Sequence, residues 1–335
     1  MNVRGLLVQV VGRGDAYYDS HLLPRAEALT SRSDRDPFAH LVSRAHEEGL
    51  EVHAWMNCLL VWSGRKPPRD ARHVIRAHPE WVATLHDGRR MSRLGPKTLQ
   101  RLRVEGAYLA AAHPGVKAWV ASIAAEIASR YAVDGIHLDY IRQPDVEVGY
   151  DPTTRARFAI ESGVDPARMD VVPPSRRAAV RAQWRAFQQR QVTGVVEAVR
   201  DSVSRVRGGV RLSAAVVSDT TRSEGLTAQP WRTWVRTGLL DRVYPMCYAP
   251  SVQTVMNQLV VFGGELGPTQ RVVPGLAVYN TSPATCAIKI KGARALGYPL
   301  LALYSYDSLF LREDAWPGLE RGLDTASDSN PRRSP

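Results

Sequence analysis

The residues with the most chemical capacity fall in the stretch 131–144, YAVDGIHLDYIRQP. Side chains alternate along a strand, so His137 and Asp139 share one face while Ile136 and Leu138 take the other. A carboxyl group facing inward from a buried strand costs free energy unless it is paired or used. Asp139 stands at the carboxyl end of such a strand, where parallel barrels carry their chemistry. An ordinary ion pair with a neighbour such as Arg142 is the competing structural explanation. Asp134, at the start of the same strand, belongs to the opposite mouth and reads as a turn residue.

Further polar and aromatic residues close the other strand-like segments. His53, Trp55 and Asn57 alternate against Val52, Ala54 and Met56 in EVHAWMN, which puts them on one inner wall. Asp15 and Tyr17 follow the first strand in GRGDAYY, where an Asx turn is the plainer role for the acid. Asp219 follows the strand at 210–217, Tyr248 the strand at 242–248, and Tyr279-Asn280 the strand at 271–278. Tyr306 and Asp307 end the last strand, expected over 299–306. His53, His137 and Asp139 have the types of metal ligands, but no HxH or HExxH spacing joins them. The sequence calls for neither metal nor cofactor, and it carries no G-x-S-x-G elbow and no Walker loop.

The elements that must hold these residues alternate. Strands are expected over 3–11, 50–60, 136–141, 210–217, 242–248, 271–278 and 299–306. Helices fall over 37–49, 114–131, 175–206, 231–238, 252–262 and 284–296, with a short one near 69–78. Residues 63–106 are irregular and arginine-rich, and 142–173 reads as a long loop covering a site. Pro245 inside its strand suggests a bulge or an early end. This alternation predicts an α/β domain with a parallel sheet. A doubly wound sheet would need GxGxxG after its first strand, and GRGDAYY is not that. Chemistry spread over many strand ends suits a (β/α)8 TIM-type barrel. One domain spans residues 1–322, and 323–335 form a polar, disordered tail.

The chain has 335 residues and a formal net charge of +11. Only Lys66, Lys97, Lys117, Lys289 and Lys291 among its 44 basic residues are lysines, and the arginines are scattered. No basic block interleaved with aromatics points to nucleic acid, while an anionic sugar or envelope polymer is compatible with the charge. Cys58, Cys247 and Cys286 have neither metal spacing nor an even count, and read as small buried hydrophobes. No run of about 18 apolar residues predicts a membrane span, and the first residues are too short an apolar run for a signal peptide.

Seven segments then carry a likeness: LVQVVGRGDAYYDSHLLPRAE, GLEVHAWMN, HPEWV, YAVDGIHLDYIRQP, DRVYPMCY, VVPGLAVYN and LALYSYDSL. In this order the chain resembles the glycosyl-hydrolase-like family ten proteins, bacterial (β/α)8 barrels with polysaccharide as the implied substrate. Two features depart from the family pattern. LAAAHP stands where LDPGHP or LSPGHP is usual, and the family's opening strand and helix have no counterpart here, so on that pattern the strand at 3–11 would be the second of the barrel, with either a start set too late or a stave missing.

The resemblance implies glycoside hydrolysis, which needs one carboxyl as acid and another as nucleophile or base. Asp139 takes the second role, with Asp219 or Asp307 as its acid. Asp15, Tyr17, His53, Trp55, Asn57, His137, Arg142, Tyr248, Tyr279, Asn280 and Tyr306 would contact an oligo- or polysaccharide. The competing function is a barrel that binds glycan without cutting it. An extracytoplasmic or envelope setting is implied by the same likeness.

Overall fold

The computed structural model describes residues 3–29, 36–64, 66–267 and 269–324. They divide into two compact units. The larger holds residues 3–215 and 220–241, and the smaller 216–219 with 242 onward. Most of the tail expected at 323–335 lies outside the described residues.

The larger unit runs β1 Gly5–Val11, α1 Pro37–Glu47, β2 Glu51–Asn57, β3 Leu60–Trp62, α2 Val74–Ala77, α3 Pro96–Leu102, β4 Ala107–Tyr108, α4 Pro114–Arg130 and β5 Gly135–Asp139. It continues through α5 Pro152–Ser162, α6 Pro174–Val206, β6 Arg211–Val216, α7 Thr220–Gly225 and α8 Trp231–Arg236. β1, β2, β5 and β6 pair in that order, all parallel. β1 is an edge, with Leu6, Leu7 and Val8 half-buried and Gln9 exposed.

Local chemistry sets the helix starts. Asp36 accepts from the amides of Phe38 and Ala39 at 3.0 and 3.1 Å, and Pro37 occupies the first turn of α1. Asp151 caps α5 in the same way, through Thr154 at 2.9 Å. The 33-residue α6 packs along α4, burying Val192, Val195, Val196 and Val199 on its side and Val116, Val120 and Ile127 on the other. This valine-rich seam covers the outer face of the sheet, as α/β layering requires.

Three expectations are corrected here. The strand expected over 50–60 stops at Asn57, and β3 turns away to pair antiparallel with β4. The amides of Cys58 and Leu59 reach across to the carbonyls of Asp139 and Tyr140, at 2.8 and 3.3 Å, and this fixes the turn. The strand expected over 136–141 ends at Asp139, because Tyr140 adopts a left-handed backbone. The loop expected over 142–173 contains α5 and a 3-10 turn at Pro166–Val171, and Phe158 and Val172 pack on Val180 and Phe187 of α6.

The smaller unit runs β7 Arg242–Cys247, α9 Val252–Leu266, β8 Gly275–Ala277, α10 Pro283–Ala295, β9 Ala302–Tyr304, α11 Tyr306–Phe310 and α12 Ala315–Asp324. Its three strands pair in sequence order and parallel. Pro245 makes no bulge. The register is the same before it, Val243 on Val272, and after it, Met246 on Gly275, so the strand forfeits a single donor. The last strand is shorter than expected. It ends at Tyr304, and Tyr306 and Asp307 open α11, where Ser and Asp favour a helix start over a strand.

All three cysteines are buried free thiols. Among the described residues no helix is long and apolar enough to cross a membrane.

Candidate active site

In the larger unit, strand register stacks the inward side chains in levels. Leu7, His53, Gly135 and Arg211 form the lowest, Gln9, Trp55, His137 and Ser213 the middle, and Asn57 and Asp139 the top. Parallel barrels fill their interiors in such layers.

The lowest level is an ionic floor. Glu51 pairs with Arg211 at 2.7 Å and with His53 Nε2 at 3.3 Å. Burial alone would raise the Glu51 carboxyl, but Arg211 and His53 outweigh it and the pKa is lowered. Gly135 is required beneath this pair, since a Cβ there would lie 2.2 Å from His53 Nδ1. Nearby, Asp134 accepts from the Val52 amide at 2.8 Å and pairs with His46 at 3.0 Å, tying β2 to α1.

The middle level is held neutral. His137 Nδ1 lies 3.0 Å from Ser213 Oγ, with the Trp55 ring edge-on at 6.4 Å. Burial, helped by the charge of His53, pushes the His137 pKa down to about 3. His137 therefore offers hydrogen bonds and takes no proton at physiological pH.

At the top, Asn57 is bonded through both ends of its amide. Its amide donates to the Gly12 carbonyl at 2.7 Å, and its oxygen accepts from Trp55 Nε1 at 3.2 Å and Gln9 at 3.4 Å. These bonds pin the GRGD turn, inside which Asp15 accepts the Arg13 amide at 2.8 Å. Asp15 thus caps its own turn. Gly14, at φ 79°, leaves room for His73, whose Nε2 lies 2.6 Å from the Arg13 carbonyl. Tyr17 stands half-buried against Gly12.

Asp139 is 9% exposed, and its Oδ1 accepts the Tyr140 amide at 2.6 Å. Among the described residues no cation lies within 4.0 Å of its carboxylate. Burial raises its pKa, against smaller lowering effects from the Tyr140 amide, Arg142, Arg13 and the Trp55 indole. Arg142 does not form the ion pair that would have made Asp139 structural. It turns to Glu105 Oε1 at 3.3 Å and the Gln143 carbonyl at 3.4 Å. Tyr140, at φ 49°, places its ring between two guanidiniums, 5.0 Å from Arg142 Cζ and 5.8 Å from Arg13 Cζ.

The remaining candidates belong to the smaller unit. Tyr248 and Tyr279 ring centroids are 6.2 Å apart, and Tyr304 contacts both at 5.5 and 5.9 Å. Asn280 donates to the Tyr248 carbonyl at 2.8 Å. Tyr306 is 68% exposed and stacks on Phe310, which stacks in turn on Trp316. Asp219 is exposed beyond β6, and Asp307 is exposed in the first turn of α11. Among the described residues no group of three or more His, Cys, Asp or Glu is placed to hold a metal.

Sequence reasoning passed over Tyr140, Glu105, Arg13 and Ser213. The DYIR run flags Tyr140 only as a neighbour of Asp139, and Glu105 lies in the stretch read as irregular.

Residues 1–268 match the family described as Glycosyl hydrolase-like 10. The chain belongs to that family. Glycosyl hydrolase DigH of Escherichia coli (strain K12) is 24% identical over 307 residues, covering 84% of this chain. The chain spans 63% of the length of DigH. Glycosyl hydrolase YngK of Bacillus subtilis is 25% identical over 169 residues, covering 47% of this chain and 29% of YngK.

Among solved structures, the PgaB (BpsB) glycoside hydrolase domain of Bordetella bronchiseptica superposes with a TM-score of 0.69 at 16% identity, over 92% of this chain and 86% of that domain. Alpha-L-fucosidase isoenzyme 2 of Paenibacillus thiaminolyticus gives 0.60 at 14% identity, over 96% of this chain and 43% of that one. These likenesses show the fold. This glycosyl hydrolase-like 10 chain is α/β, of the TIM-barrel type, with seven main strands among the described residues where that fold has eight.

Proposed function

We propose that this chain is a glycoside hydrolase acting on a bacterial polysaccharide, with Asp139 as its proton-donating carboxyl. One observation carries the reading. Asp139 is a buried strand-end carboxyl, bonded through its own neighbour's amide and left without an ion pair. The sequence suggests a nucleophile or base, but burial favours the protonated form and so the acid role. In that role Asp139 gives its proton to the glycosidic oxygen as the bond from that oxygen to the anomeric carbon breaks. A second carboxylate attacks that carbon or takes a proton from the attacking water. Asp219 and Asp307 are our candidates for it, each to be tested by substitution with Asn.

Exposure sorts the remaining roles. Tyr17, Trp55 and Tyr140 keep accessible ring surface, which suits the apolar faces of sugars. His53, Asn57 and His137 are buried and bonded within the protein, and we assign them to holding Trp55 and Asp139 in place. Tyr248, Tyr279 and Asn280 are assigned as a sugar-contacting cluster of the smaller unit. Tyr306 faces its own stack, and we give it a lesser part.

The test is a panel of bacterial polysaccharides assayed for released reducing ends, with wild type and Asp139→Asn. Cleavage by wild type alone supports the reading. Retention of a glycan with no cleavage by either protein would make this a binding barrel, and unchanged turnover by Asp139→Asn would remove Asp139 from the chemistry.

A further inference from the structure

Arg142 raises a question the proposed chemistry leaves unanswered. Its guanidinium is buried, close enough to Asp139 to act on it electrostatically, yet the two do not pair. Arg142 Nε is buried and has no acceptor among the described residues. A buried cation with an unused donor beside a buried carboxyl would ordinarily close the gap, because both groups gain. Something holds it back.

The restraint is visible on several sides. Glu105 Oε1 takes Nη2 at 3.3 Å and the Gln143 carbonyl takes Nη1 at 3.4 Å. The Tyr140 ring lies under the guanidinium at 5.0 Å. Glu105 is itself fixed, because its other oxygen accepts from Tyr108 Oη at 3.1 Å, and Tyr108 is 1% exposed. Tyr108 also packs edge-on to Tyr140, with centroids 6.1 Å apart, which closes the ring of contacts.

We propose that Glu105 sets the protonation of Asp139 at second hand, by holding the Arg142 guanidinium in a clamp that denies it an ion pair with that carboxylate. Glu105 is a positioning residue in this scheme, and the idea rests on the proposed role of Asp139 only for its consequence in catalysis. The charged and titratable groups around Asp139 are Arg13 from the turn after β1, Cys58 after β2, Glu105 and Tyr108 beside β4, and Tyr140 and Arg142 after β5. Cys58 and both tyrosines stay neutral at physiological pH, since burial raises each of them. Among the described groups that act on Tyr140 and Arg142, Glu105 is the acid besides Asp139 that offsets the arginines. Its removal leaves Arg142 with Asp139 as its remaining carboxylate, and a nearby cation favours the ionised form.

The experiment is a carboxyl carbon-13 NMR titration of the full chain labelled at aspartate, with the Asp139 signal assigned from its loss in Asp139→Asn. Glu105→Gln keeps the shape of a side chain that is 42% exposed. It should lower the apparent pKa of Asp139 by one unit or more, a tenfold loss in proton affinity. Glu105→Asp, which withdraws the carboxylate by one methylene, should shift it less and in the same direction. The double variant Glu105→Gln/Arg142→Met should reverse the shift. An unmoved Asp139 titration in folded Glu105→Gln, or a shift that survives the loss of Arg142, would overturn the proposal. The readout needs no substrate. Absence of glycosidase activity with the shift present defeats only the proposed function, and activity with no shift defeats only the role of Glu105.

Discussion

The Tyr140 amide donates to the carboxylate of the residue before it, Asp139, across 2.6 Å. The Tyr140 backbone itself lies in the left-handed region at φ 49°. A bulky residue held there carries strain, which surrounding contacts must hold in place. Here they are the Leu59 amide on the Tyr140 carbonyl and the two guanidiniums flanking its ring. Asp139 is therefore oriented by its neighbour's amide and the Trp55 indole and, among the described residues, carries no ion pair.

Asp139→Asn should lower kcat on a cleavable glycan by roughly 10²–10⁴-fold, the usual range for a lost proton donor. The amide still accepts from Tyr140 N–H, so the protein should unfold at the same temperature or slightly higher. Initial rates and a calorimetric scan of the same sample check both parts.

The raised Asp139 pKa has a defined effect on stability. The folded protein holds this proton more tightly than the unfolded chain, whose value is near the ordinary 3.8. Its contribution is full below that value and is lost as pH rises through the folded pKa. Glu51 and Asp134 act in the opposite sense, because their pKa values are lowered in the fold. What they contribute is present above their unfolded values and is lost as pH falls through the folded ones. Denaturant titrations at stepped pH should show Asp139→Asn removing the first slope and leaving the second.

Gly135→Ala should destabilise by about 1–3 kcal/mol, the usual cost of overpacking. The added carbon would meet His53 Nδ1 at 2.2 Å and the Arg211 carbonyl at 2.9 Å, neither of them the loose end of a flexible chain. Urea unfolding followed by tryptophan fluorescence measures it.

Asn57→Ala should cost about 1–3 kcal/mol by removing the amide that joins the Gly12 carbonyl to the Trp55 indole. The loss should also loosen the GRGD turn. Faster amide exchange at residues 12–15, with β5 unchanged, would mark the effect as local.

A histidine inflection should be missing from any pH–rate profile traceable to His137, whose pKa of about 3 keeps it neutral through the neutral range. His137→Gln should preserve the shape of the profile and alter only its height.

Much of this arrangement was legible in the sequence, because the two-residue strand period is a backbone property that burial makes visible. It placed His137 with Asp139, and His53 and Asn57 on their shared wall. Helix starts were equally plain at 36–37 and 113–114, where a capping side chain precedes proline. What stayed hidden depends on distant partners. Arg142 has carboxylates at several distances in the chain, and nothing local shows that it prefers Glu105, 37 residues away, to Asp139 three residues away. The sign of φ at Tyr140 leaves no trace in a tyrosine. α5 lay hidden in the stretch 142–173 because its apolar face is narrow and is completed by Phe187 and Trp184 from α6.

The close fit of His53 over Gly135 also binds the history of those two positions together. Position 135 cannot drift alone, since any side chain there first requires the imidazole to give way. A homologue with alanine at 135 should carry something smaller than histidine at 53, and the Glu51–Arg211 bridge would then have to stand without its third member.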